Sequence, residues 1–197
     1  MGKIIFLMGK SSTGKDTMYK GLCQDEDLKL LPIVLYTTRP IREGETEGEQ
    51  YHFTDNDGFN DFQKKGLVIE FRTYKTMHGD WTYFTVDDGN INLNDNSYIT
   101  IGTLESYESF KNYYGNEQVI PIYIEVEDGE RLSRALKREM KPENHKYQEM
   151  CRRFLADCDD FSEEKIQEAG IGSENRFENL DKETTEAVIK AFISEKL

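Results

Sequence analysis

A three-layer α/β/α fold on a parallel central sheet is predicted by three observations. Short apolar runs alternate with charged helical stretches at both ends of the chain, the pattern of strands that feed covering helices. The first run, Ile4-Ile5-Phe6-Leu7-Met8, is apolar throughout and stops at a glycine, as a strand buried on both faces should. Directly after it, the glycine-bounded segment Gly9 to Gly14 joins that strand to a helix predicted over about Lys15 to Cys23.

The remaining elements follow from local pattern. Ile33-Val34-Leu35-Tyr36 reads as a strand, and Thr37 to about Gln50 as a polar, glycine-punctuated loop. Between about 51 and 95 the character changes. Tyr51-His52-Phe53, Val68-Ile69-Glu70-Phe71 and Tyr83-Phe84-Thr85-Val86 read as short strands, with a helix at about Asp57 to Lys65, so an inserted mixed α/β subdomain is expected. The sheet resumes with Tyr98 to Ile101 and Ile120 to Val126. A charge-rich helical region runs from about Gly129 to Gln167, interrupted near Lys141-Pro142-Glu143-Asn144, and Lys182 to Lys196 forms a closing helix.

Composition narrows the function. With 197 residues, 37% hydrophobic and 12% aromatic, the chain can bury the core of one domain. Its 38 acidic against 25 basic side chains give a net charge of −13, which repels long nucleic acids and anionic membranes unless positive charge clusters locally. Such a cluster exists at 131–153, where eight basic against three acidic side chains give +5 and leave −18 for the rest. The five-residue N-terminal apolar run is too short for a signal-peptide core or a membrane span. Cys23, Cys151 and Cys158 form no C-x-x-C pair, so reduced thiols and a cytoplasmic location are expected.

Gly9-Lys10-Ser11-Ser12-Thr13-Gly14-Lys15 matches the G-x-x-x-x-G-K core of a P-loop, placed where the mechanism requires, between a buried strand and a helix. Within the candidate binding segment Gly9 to Thr17, backbone N–H groups of Lys10 to Lys15 can cradle a triphosphate, the helix N-terminus adds positive potential, and Lys15 can reach the β- and γ-phosphates. The next residue is Asp16 where a hydroxyl usually ligates Mg²⁺, followed by Thr17. A carboxylate can hold Mg²⁺, so Asp16 is the candidate metal ligand.

A second anion site is suggested by Arg39, Arg42 and Tyr51. The two guanidiniums could fork around one phosphate dianion and the phenol could add a hydrogen bond, which suits a monophosphate acceptor. Ion pairs of the same arginines with Glu43, Glu45 or Glu47 are the competing reading.

The P-loop together with Tyr-Thr-Thr-Arg-x-x-Arg-x-Gly-Glu-x-x-Gly-x-x-Tyr-x-Phe, here Tyr36 to Phe53, resembles guanylate kinase, the P-loop nucleoside monophosphate kinase that moves the γ-phosphoryl of ATP to GMP. Close motif identity covers residues 4 to 71. The resemblance implies a core at about 1–35, 96–130 and 156–197, an acceptor-binding insertion at about 36–95 and a helical lid at about 131–155. It implies that Arg39, Arg42 and Tyr51 grip the GMP phosphate, with Tyr83 joining them. Glu70 would accept from guanine N1–H and the 2-amino group, with Thr85 near the base. Arg138 and Arg153 would be lid arginines, catalytic together with Lys15 and Arg39, and Mg²⁺ would accompany ATP. A carboxylate suits guanine because that edge presents two adjacent donors and adenine's does not.

Departures from the family are also legible. Ile101-Gly102-Thr103 lacks the acidic residues expected at the end of its strand, Leu35 stands where a base-contacting serine is usual, and Arg138-Glu139 replaces an Arg-Gly pair. Ribose 1,5-bisphosphate phosphokinase shares the Gly-Lys-Asp P-loop and is the rival acceptor reading. A non-catalytic guanylate-kinase-like module that binds phosphorylated peptides is the rival of another class.

Overall fold

The computed structural model describes residues 1–76, 79–141 and 145–197. In chain order the elements are β1 (Ile4–Met8), α1 (Lys15–Cys23), β2 (Leu31–Pro32), β3 (Tyr36–Thr37), β4 (His52–Phe53), α2 (Asn56–Lys64), β5 (Val68–Thr76), β6 (Gly79–Val86) and β7 (Tyr98–Ile101). They continue with α3 (Leu104–Tyr114), β8 (Val119–Glu125), α4 (Asp128–Glu139), α5 (Tyr147–Asp160), α6 (Glu163–Glu168), β9 (Arg176–Glu178) and α7 (Lys182–Lys196).

Strand β1 is the spine. Its five residues are buried, and because a strand's side-chain period is two, alternate residues pass to opposite faces. Ile4, Phe6 and Met8 pack with Tyr107, Phe110, Phe161 and Ile166 on one side. Ile5 and Leu7 pack with Met18, Leu22, Ile189 and Ile193 on the other. Helices therefore cover both faces, and the order β2-β7-β1-β8-β9 is parallel at every pairing, as the sequence predicts. A second sheet, β4-β3-β6-β5, mixes one parallel with two antiparallel pairings and builds its own small core from Phe59, Phe84 and Val86.

Two expectations change and one element is added. The single strand over Ile33 to Tyr36 does not form: residues 33–35 link the short strands β2 and β3, because the chain crosses there from one sheet to the other. Ile33 N–H still donates to Ile99 of the central sheet, whereas Leu35 C=O already accepts from His52 of the second. The region from 104 to 114 is a helix, α3, started by Thr103, whose hydroxyl accepts from Ser106 N–H, and stopped at Gly115. The helical region after 128 divides into α4, α5 and α6. Of its expected break, Pro142, Glu143 and Asn144 lie outside the described residues.

All three cysteines are unpaired thiols. No helix among the described residues is long and apolar enough to cross a membrane.

Candidate active site

The phosphate loop leaves the C-terminal end of β1, beside the ends of β7 and β8, where ligands bind in open parallel sheets. Gly14 sits at φ +90°, and a Cβ there would meet Asn179 Nδ2 at 2.5 Å, so only glycine fits. Asn179 is buried and donates to the Thr13 carbonyl at 2.7 Å, tying the loop to β9. Ser12 adopts φ +66°, and its hydroxyl is buried without a hydrogen-bond partner. No side chain caps the N-terminus of α1. Lys15 Nζ lies 3.8 Å from Asp16, whose own side chain is 80% exposed.

Helices α4 and α5 hold this loop from the opposite side. Arg131 is fully buried, donates to the Ser11 carbonyl at 3.1 Å and to Asp128 at 2.9 Å, and has Asp157 at 3.5 Å. Its guanidinium lies over the Phe154 ring. Asp157 in turn accepts from Ser11 N–H at 2.6 Å. Arg153 reaches the Ser11 hydroxyl at 3.3 Å. Arg138 pairs with Glu139 and, with Arg153, lines a small cleft against Ser11 and Ser12. Arg131, Arg134 and Arg138 do not form one solvated basic face: Arg131 is interior, and Arg134 bonds Glu130 and the Asn179 carbonyl.

The second sheet assembles the other half. Arg39 is only 2% exposed. Its Nη atoms engage Glu45 at 2.5 and 2.7 Å, its Nε donates to the Tyr83 hydroxyl at 3.2 Å, and Tyr51 and Phe53 rings flank it. The Tyr51 and Tyr83 rings meet edge to face at 5.4 Å. Of the two readings of these arginines, the ion pair with Glu45 exists, but it lies inside the cluster. The Arg39 guanidinium pulls the Glu45 carboxyl down to about 2, so that it stays ionised. Arg42 lies over the Trp81 ring. Glu70 faces Thr85 across β5 and β6, and accepts the Thr85 hydroxyl at 3.0 Å. Burial raises its carboxyl above the ordinary glutamate range, opposed by Arg72 and by hydrogen bonds from Thr85 and Ser106.

A cleft of about 920 Å³ joins the halves. Its lining includes Gly9, Ser11, Lys15 and Asp16 with Arg153 and Asp157 beside Ser11, and also Leu35, Tyr51, Arg72, Trp81, Tyr83 and Gly102. Arg39 and Glu70 lie just behind this lining, the first bonded to Tyr83 and the second beside Arg72.

A family model described as guanylate kinase matches residues 1–179. The chain belongs to the guanylate kinase family. Curated relatives include guanylate kinases of Bdellovibrio bacteriovorus, 33% identical over 43% of this chain and 45% of that one, and of Mycoplasma mobile, 40% identical over 36% and 35%. The matched segments thus span less than half the length of these relatives. The crystal structure of guanylate kinase from Anaplasma phagocytophilum superposes with a TM-score of 0.60 at 20% identity, covering all of this chain and 87% of that one, and so shares the fold.

No acid stands at Gly102, and the packing there is closed to a side chain. A Cβ at 102 would stand 2.7 Å from Phe6 Cζ, so the core ring that packs the sheet leaves no space for a side chain there. Among the described residues no group of three or more acidic, histidine or cysteine side chains could hold a metal alone. Asp16, an exposed carboxylate on the cleft wall beside Lys15, is an oxygen donor of the kind Mg²⁺ takes. Arg72, Arg131, Asp157 and Asn179 escape the sequence reading. Arg72, Arg131 and Asp157 are charged residues on a strand or helix and read as solvated, and Asn179 sits in the short link after β9 with no local spacing to mark it.

Proposed function

We propose that this protein transfers the γ-phosphoryl of ATP to GMP or dGMP, giving ADP and GDP or dGDP. One observation carries the reading: a buried carboxylate, Glu70, on β5 and a cluster of Arg39, Tyr51 and Tyr83 on and beside the same sheet lie across a common cleft from the phosphate loop. A guanine edge on Glu70 directs its monophosphate toward Lys15. The loop amides and Lys15 hold the donor, and Arg138 and Arg153 of the lid, at about 131–155, neutralise charge that develops on the transferred group. Mg²⁺, held by Asp16 and the nucleotide, would supply further charge neutralisation. Catalysis is then positioning with exclusion of water, since no side chain bonds to the phosphoryl group.

Glu70→Ala tests the assignment. Losing a carboxylate that pairs two base donors should raise the KM for GMP by about 10- to 100-fold and leave that for ATP nearly unchanged. Equal loss for both substrates would make Glu70 a structural residue and remove the base reader from the account.

A further inference from the structure

The acceptor end of the cleft holds a third guanidinium. Arg72 follows Glu70 by two residues on β5, so both side chains leave the same face, and it pairs across the strands with Tyr83 as Glu70 does with Thr85. It therefore stands at the level of the phosphate-facing tyrosines, one step from the base reader. Its Nε is 3.4 Å from Glu70 Oε2, yet that Nε is buried and makes no hydrogen bond. A guanidinium carries five N–H donors, and one carboxylate at that distance leaves them largely unused. Arg39, by contrast, has spent its Nε and both Nη atoms on Tyr83, Pro40 and Glu45. Arg72 also lines the cleft where Glu70 does not, so it covers the carboxylate in this arrangement.

We propose that Arg72 exchanges partners when the acceptor binds. It yields Glu70 to the donor edge of the purine and turns its free N–H groups onto the acceptor phosphate, beside Tyr51 and Tyr83. This deepens the GMP reading of the same site and rests on it. The protein would then grip the acceptor phosphate with a cation that changes partner, adding to Arg39, whose charge is already matched by Glu45.

Trp81, the single tryptophan, lines the cleft, so its fluorescence reports acceptor binding. GMP, guanosine and ADP are titrated against the full chain and against Arg72→Gln and Arg72→Lys, with ADP binding as the measure of an intact phosphate loop. Arg72→Gln keeps a donor for Glu70 but no charge. It should weaken GMP about 10- to 100-fold, the range for a lost charged hydrogen bond, and leave guanosine unchanged or tighter. Arg72→Lys should recover most of the GMP affinity. Unchanged GMP affinity in Arg72→Gln, or equal weakening of GMP and guanosine, overturns the exchange, the latter by making Arg72 only a partner of Glu70. Should Arg72→Gln lose ADP binding too, Arg72→Lys decides, and a tenfold loss of GMP with ADP intact in that variant overturns the proposal. If the unaltered protein binds ADP but no GMP, the acceptor assignment itself falls.

Discussion

Replacing Arg131 by leucine removes the buried cation that joins helices α4 and α5 to the phosphate loop. Three interactions go at once. The bond to the Ser11 carbonyl involves a charged donor in the interior and is worth about 1.5 to 3 kcal/mol. The Asp128 side chain is 49% exposed, so that pair adds at most about 1 kcal/mol, and the stacking on Phe154 about 1 more. Leucine recovers part of this by apolar burial, but Asp157, 16% exposed, loses the buried guanidinium 3.5 Å away. The net loss should be about 3 kcal/mol, which for a domain of 197 residues lowers Tm by roughly 6 to 12 °C. Thermal and urea unfolding of Arg131→Leu, Asp157→Ala and the double variant measure it. Because the loss of that partner is a large part of the cost, the double variant should be less destabilised than the two single losses added together. A loss below about 1 kcal/mol for Arg131→Leu, or strict additivity, would refute the reasoning.

Gly14→Ala forces a side chain into the left-handed region and onto Asn179, so ATP affinity should fall more than tenfold while GMP binding survives; retained ATP affinity would contradict the loop geometry. Glu70 must be ionised to accept from guanine, and burial raises its pKa. The KM for GMP should therefore rise on acidification while the pH is still above the ordinary glutamate range, and Glu70→Gln should flatten that profile. The sign for folding is opposite to that of a paired carboxylate: the folded state binds the extra proton between the unfolded and folded pKa values, so Glu70 costs stability as pH rises through that window. A GMP profile flat down to the ordinary glutamate range would count against the buried reader.

The phosphate loop and the central strands were legible because their signals are local. A run with no polar residue that ends in Gly-x-x-x-x-Gly-Lys has few other structures open to it. The contact of Arg39 with Tyr51 was legible through spacing, since both belong to one motif that the chain folds back on itself just after β3 and just before β4. Helix α3 was legible in principle, since Leu104, Tyr107, Phe110 and Tyr114 recur at helical spacing and pack on one core face between the Thr103 cap and the Gly115 stop. Arg131 and Asp157 lie 26 residues apart and meet only because α4 and α5 pack over Ser11. Their charges count toward a basic lid in any sequence tally, whereas in the fold they cancel around the loop. Gly102 shows the reverse: a residue that looks like a lost ligand is fixed by the ring of Phe6.

The central claim is phosphoryl transfer to a guanine nucleotide. Release of ADP from Mg-ATP, followed by a coupled assay with GMP, dGMP, AMP, UMP and ribose 1,5-bisphosphate as acceptors, tests it most directly. Turnover with GMP and dGMP, and little with the other three, is the result the account predicts. Turnover with the sugar bisphosphate alone would contradict the guanine assignment, and none with any acceptor would contradict the kinase.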